Sequence, residues 1–281
     1  MSAVPFALLS ALCTAANLVF QHQASGEAPA AAGHGWRLLR HLAVQPLWLV
    51  GLAVMAVGFV CHAVALHFGQ LSLVQPLLVT ELVFVLVLRR IRTREGLGWQ
   101  PWIAAAVTCV GLAALLVVAD PSQSSTVPTT RAWVTAIAVI GVLAGGSALL
   151  ARLGPRHLRA AMYGVSAGLV WAIDAAFVKT TTDVLAADGW WPMFLHWPVY
   201  ALVGSGVVGA LLLQAALHAG PLSASQPAVV TVDPLASIVL GVWLFHEGFR
   251  DTPPAVAISA LAFMVMILGV VLMARTELSK M

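Results

Sequence analysis

Along this chain, polar residues gather in short clusters, and between the clusters lie long apolar blocks. The blocks show neither the alternation of a half-buried strand nor the one-sided stripe of a soluble helix. Nine of them are long enough to matter: Val4–Phe20, Pro46–Leu66, Leu71–Leu88, Pro101–Val118, Ala132–Ala151, Ala160–Val178, Pro198–Leu217, Leu222–Phe245 and Ala255–Met273. A bilayer core needs about 20 mostly apolar residues per helix, with a range of ~17–25. Backbone polar groups in hydrocarbon must bond within their own segment, so each block predicts a spanning helix. A barrel would need shorter, alternating segments. The fold class expected is therefore all-α, a polytopic integral membrane protein with nine transmembrane helices.

The polar clusters refine this picture. Blocks two and three are joined by "HFGQ", and blocks seven and eight by "HAGP". Each reads as a tight helical hairpin with Gly in the turn. The longest connection, residues 21–45, holds the Ala/Gly-rich "ASGEAPAAAGHG" and then "WRLLRHL", whose Trp and Arg suit a short interfacial helix. No Lys or Arg precedes block one, so a signal peptide lacks its basic start and a retained helix is expected. "DPSQSSTVPTT", between blocks four and five, reads as a linker between halves. The expected division is residues 1–118 (helices 1–4), a linker at 119–131, and residues 132–281 (helices 5–9).

Basic residues are unevenly distributed. Eleven of the fourteen Lys and Arg lie in the connections after blocks one, three, five and seven or in the C-terminal tail; Arg131, Lys179 and Arg250 lie on the other side. The positive-inside rule then predicts a multi-pass protein of the cell membrane, with its N-terminus outside and its C-terminus in the cytoplasm. An odd number of spans satisfies this.

One sentence is written twice. "ALHFGQLSLVQPLLVT" (65–80) and "ALHAGPLSASQPAVVT" (216–231) are identical at ten of sixteen positions, 151 residues apart. At a shift of 152, Glu81 meets Asp233 and "EG" at 95–96 meets "EG" at 247–248. Leu, Ala and Val matches are cheap in an apolar chain; His, Gln, Pro and Thr in one order are not. The copies begin five helices apart, so they enter the membrane in opposite directions, as the inverted repeats of many secondary transporters do. Within the copies, Pro76 and Pro227 each free a backbone carbonyl, and Pro234 frees another. Such kinks at matching positions of two halves point to a midplane site, although a plain structural kink is the competing reading.

The acids add chemistry. Glu81 is eleventh in its block, so it sits about 15 Å deep at 1.5 Å per residue. Asp233 is at similar depth in block eight. Asp174 falls about a turn from the end of block six, where it could reach water or pair with Lys179. An ionisable group at the bilayer centre costs at least ~2.5–3.5 kcal/mol, which marks it as a functional candidate. With Gln75, Thr80, Gln226 and Thr231 as uncharged donors, these acids form the candidate substrate- and ion-binding set. No Lys or Arg lies at comparable depth, so the set favours a proton, a metal ion or an organic cation. Glu81 follows Gln75 by six residues and Asp233 follows Gln226 by seven, so on ideal helices the two acids face different ways. His67 and His218, at the two turns, read first as interfacial residues and second as gating groups.

Composition closes off other classes. Of 281 residues, 60% are hydrophobic and 9% charged, against about 25% charged in soluble domains. No basic run suggests nucleic acid. Cys13, Cys61 and Cys109 lie in apolar blocks without metal-ligand spacing. H-E-x-x-H and G-x-S-x-G are absent, so an intramembrane enzyme has no constellation to stand on. A passive scaffold leaves the duplicated Gln-Pro and the buried acids unexplained. No cofactor is expected, the metal is open, and a homodimer is compatible with the chain.

The stretch "SASQPAVVTVDPLASIVLGVWLFHEGFRDTPPAVAISALAFMVMILGVVLMAR" resembles the C-terminal end of drug/metabolite transporter superfamily proteins, of the EamA-like type. There a Pro-containing helix ends in Glu, here Pro227 or Pro234 and Glu247, and a closing helix carries a late Gly, here Gly269. "WLVGLAVMAVGFVCHAVALHFGQLSLVQPL" is similar to the magnesium transporter branch of NIPA type at Trp48, Gly51, Gly58, Val74, Pro76 and Leu77. The resemblance implies an inverted-repeat bundle that transports a small metabolite or drug-like molecule, or magnesium. Proteins of this superfamily commonly have ten helices, so the chain looks like that fold short of one helix.

Overall fold

The computed structural model describes residues 3–26, 45–93, 98–122, 127–220, 222–250 and 252–278. Among them the chain is a bundle of eleven helices. These are α1 (Ala3–Gly26), α2 (Pro46–Phe68), α3 (Leu71–Leu78), α4 (Glu81–Thr93), α5 (Trp99–Ala119), α6 (Thr130–Ala151), α7 (Arg156–Asp188), α8 (Trp190–Met193), α9 (Trp197–Ala219), α10 (Leu222–Phe245) and α11 (Pro253–Leu278). Taken together, α3 and α4 make one membrane-length segment. Counted so, the described residues contain nine helices long and apolar enough to cross a membrane. The protein is an all-α, membrane-embedded bundle. The segment "WRLLRHL" and Glu95 lie outside the described residues.

The bundle has two ends, called the Gly69 end and the Gly220 end after the glycines in the two hairpin turns. At the Gly69 end, the α2–α3 turn meets the start of α1: a Cβ on Gly69 would collide with that of Ala3. At the Gly220 end, the α9–α10 turn meets the start of α7: a Cβ on Gly220 would collide with the Arg156 carbonyl oxygen. In each case the hairpin rests on the long helix that precedes it. The neighbours match as well, since α1 packs on α2 and α4, and α7 packs on α9 and α10. Helices α5 and α11 cross in close contact, and α3 packs on α10. Gly111 lies against the Met266 backbone and Gly269 against the Thr108 backbone, so two missing side chains let the helices approach closely. Helix α6 packs on α7.

Two features differ from the sequence expectation. Block three is not one helix: α3 ends at Leu78, and the chain turns through Val79 and Thr80 before α4 begins at Glu81. The Val79 N–H donates to Pro76 O at 3.2 Å and the Thr80 N–H to Leu77 O at 3.1 Å, so the ladder tightens to i→i−3 bonds just after the proline. Block six is longer than its apolar core suggests. α7 runs through the polar stretch "KTTTDVLAAD" to Asp188, ten residues beyond Val178.

Candidate functional site

Three acids face the interior from three helices. Asp174 lies on α7, with eighteen residues of that helix before it and fourteen after. It is therefore central rather than near an end, and it is 8% exposed. It does not pair with Lys179. Its Oδ1 accepts a 2.6 Å hydrogen bond from Ser205 on α9. Asp233 on α10 is half-buried, and its Oδ1 accepts from Ser237, one turn on, at 3.2 Å. Glu81 is also half-buried and opens α4, where its carboxylate sits at the positive end of a helix dipole. Glu81 and Asp174 both lie within electrostatic reach of Asp233. The seven-for-six register difference thus does not send Glu81 and Asp233 apart: the tight turn at Val79–Thr80 intervenes.

The uncharged candidates divide. Gln75 is 4% exposed on α3, and its Nε2 is 3.4 Å from His62 Nε2 on α2. Thr80 is buried, and its hydroxyl donates to Leu77 O at 2.7 Å, sealing the break in the helix. Thr231 is half-buried on α10. The Gln226 side chain lies outside the described residues. Pro76 lies inside α3, and Pro227 and Pro234 lie inside α10, which stays continuous through both. Because proline has no N–H, the carbonyls four residues earlier, of Ser72, Ser223 and Val230, lose their usual helical donor. The Ser72 hydroxyl is itself buried and without a partner.

His62 is absent from the sequence-based candidate set, although its signal is there: an imidazole seven residues into the membrane from Gly69, in an otherwise apolar block. Two further residues are harder to find. Lys179 is 4% exposed, and its Nζ donates to Leu66 O and Gly69 O, at 2.9 Å each. Glu247, also 4% exposed, accepts from Leu71 N at 2.6 Å and Ser72 N at 3.0 Å. The bundle does therefore hold a buried cation. It lies about 7.5 Å along α7 from Asp174, toward the Gly69 end, and its electrostatic partners are Asp183 and Glu247. Among the described residues, none of the three interior acids is in an ion pair.

At the Gly69 end, distant segments are tied together by several further contacts. Trp133 stacks on Phe177 at 5.1 Å and packs edge-on against Trp197 and Phe245. Ser122 and Gly248 exchange backbone hydrogen bonds at 2.9 and 3.1 Å, and Arg250 pairs with Asp120 at 2.9 Å. His67 Nδ1 lies 2.8 Å from Asp183 Oδ1. Among the described residues, no group of three or more His, Cys, Asp or Glu side chains converges to hold a metal ion.

No family model matches this chain, and no solved structure matches it. A similar protein is an uncharacterized protein of Corynebacterium glutamicum, 28% identical over 98% of this chain and 95% of the relative. The likeness extends across the whole bundle and carries no function with it.

Proposed function

We propose that the protein is a secondary transporter of the drug/metabolite transporter type, moving a small cationic molecule by alternating access between two inverted repeats. One observation carries this reading: Glu81 and Asp174 each lie within electrostatic reach of Asp233 inside a membrane bundle, and among the described residues no cation is paired to any of the three. Carboxyl groups held in that setting are costly unless a proton or a mobile cation neutralises them, and a transported cation does so reversibly. Ser205, Ser237, Gln75 and the carbonyls freed by proline supply uncharged partners. The matching docking of the two hairpins supports the inverted repeat. Mg²⁺ keeps several waters and needs only one or two protein carboxylates, so a magnesium carrier is the second reading of the same acids, and uptake separates the two.

The test is uptake into vesicles carrying the purified protein. A panel of organic cations and Mg²⁺ is offered at several pH values, with the same vesicles lacking protein as background. Protein-dependent, saturable uptake of an organic cation is expected. Uptake of Mg²⁺ alone would move the reading to a magnesium carrier, and uptake of neither would remove it. In the cell membrane, a reporter fused after Lys280 should be cytoplasmic and one placed at Ser122 should be outside.

A further inference from the structure

We propose that Lys179 and Glu247 form a charge-matched latch that holds the Gly69 end shut, and that it must release whenever that end opens. The latch rests on the alternating-access reading but concerns different residues and is tested without a substrate.

The geometry is specific. The α2–α3 hairpin offers two helix ends within four residues: the last carbonyls of α2 and the first N–H groups of α3. Helix ends leave such groups without intrahelical partners. The carbonyl end carries partial negative charge and the N–H end partial positive charge. Lys179, from α7, takes the carbonyls of Leu66 and Gly69. Glu247, from the turn after α10, takes the N–H groups of Leu71 and Ser72. Each charge meets the helix end of opposite sign, and the two attract each other.

The chain is shaped to deliver Glu247. His246 adopts φ 51°, a left-handed turn that ends α10 and folds the chain back. The Glu247 N–H then bonds to Gly241 O at 3.1 Å. Gly241 has no side chain, and a Cβ there would collide with the Glu247 carboxylate. Both latch residues come from the second half and grip a hairpin of the first. Release of both charges, with the weaker His67–Asp183 contact parting alongside them, frees the α2–α3 hairpin from α7 and from the α10–α11 turn together, and opens a route to Asp174 one and a half turns below Lys179.

The experiment places spin labels at Phe68→Cys, on the hairpin, and Trp190→Cys, beyond the end of α7. Both positions are exposed, and Cys13, Cys61 and Cys109 are replaced first. Distances are measured on full-length protein in lipid nanodiscs. The parent should show a dominant short distance. Lys179→Met and Glu247→Gln should each raise the longer-distance fraction by about tenfold, the scale expected on losing charge-assisted hydrogen bonds. The swap Lys179→Glu with Glu247→Lys keeps the attraction between the two charges but sets each against the wrong helix end, so it should stay open. Should the swap fail to yield monodisperse protein, Lys179→Arg and Glu247→Asp, which keep each charge in place, serve instead and should restore most of the short distance. Unchanged distances in both single variants, or a swap that restores the parent distribution, would overturn the latch. Open distances in a protein that transports none of the cations offered would leave the latch standing and remove the transporter reading.

Discussion

The two Gln-Pro helices begin from nearly the same words and end as different objects. The first breaks after Pro76 into α3 and α4, and Glu81 opens the second piece. The second runs unbroken as α10 through Pro227 and Pro234, with Asp233 inside it. Their turns are held differently too. Buried charges from the opposite half clamp the Gly69 turn. The Gly220 turn rests on close backbone packing against the Arg156 carbonyl. Proline alone therefore does not decide whether a helix breaks. The first copy has its upper piece anchored at Leu71 and Ser72 by Glu247, and its break sealed by the Thr80 hydroxyl. A short helix fixed at both ends tolerates a tight turn where a longer one keeps its ladder.

The sharpest way to break the comparison is to treat the acids as unequal. If all three acids carry the cation, Asp174→Asn should reduce uptake at least as much as Asp233→Asn, by about a hundredfold, the scale of losing a buried charged contact. If Asp174→Asn transported normally while Asp233→Asn did not, the site would belong to the repeat-related acids alone.

That prediction reverses the sequence expectation for Asp174, for a physical reason. Hydropathy loses α7 at Val178, because the following "KTTTDVLAAD" is polar; the helix continues because Lys179 is satisfied by carbonyls of another segment. The nine spans, the two hairpins and the Gln-Pro duplication are legible in the sequence, since each is a local pattern. The break at Val79–Thr80 is half legible, through Pro76. The roles of Lys179 and Glu247 are not, because their partners lie more than a hundred residues away and leave no spacing to read. Glu247 stands out in the sequence as a family-like feature and through the repeated "EG" at 95–96 and 247–248, neither of which names its partners. His62 is readable as a lone imidazole in an apolar block, but its partner Gln75 lies on the next helix.

A second test addresses the break itself. Pro76→Ala restores a backbone donor and lets α3 and α4 rejoin. It should raise thermal stability, by up to the ~3 kcal/mol that an interior proline can cost, while slowing uptake through displacement of Glu81. Pro227→Ala should change both less, because α10 is already continuous. Equal effects at the two prolines would erase the distinction between the copies.

The turns give a smaller contrast. Gly220→Ala pushes a methyl group into the backbone carbonyl of Arg156, whereas Gly69→Ala meets chiefly the Ala3 side chain near the chain's start. Both should lower the melting temperature, within the ~1–3 kcal/mol range of overpacking, and Gly220→Ala should lower it more. The reverse order would place the tighter contact at the Gly69 turn. Smallest of all is Gly145→Leu on α6, where an added Cβ meets nothing within 4 Å. Its stability should stay within about 0.5 kcal/mol of the parent.

The most direct measurement is uptake by the triple amide variant Glu81→Gln, Asp174→Asn and Asp233→Asn, in vesicles that take up cation when they carry the parent protein. Amide groups keep hydrogen-bonding capacity and remove charge, so the bundle should insert and remain monodisperse. Uptake is expected to fall to the level of protein-free vesicles at every pH. Uptake at the parent rate by correctly inserted triple amide protein would contradict the claim that these acids carry the cation.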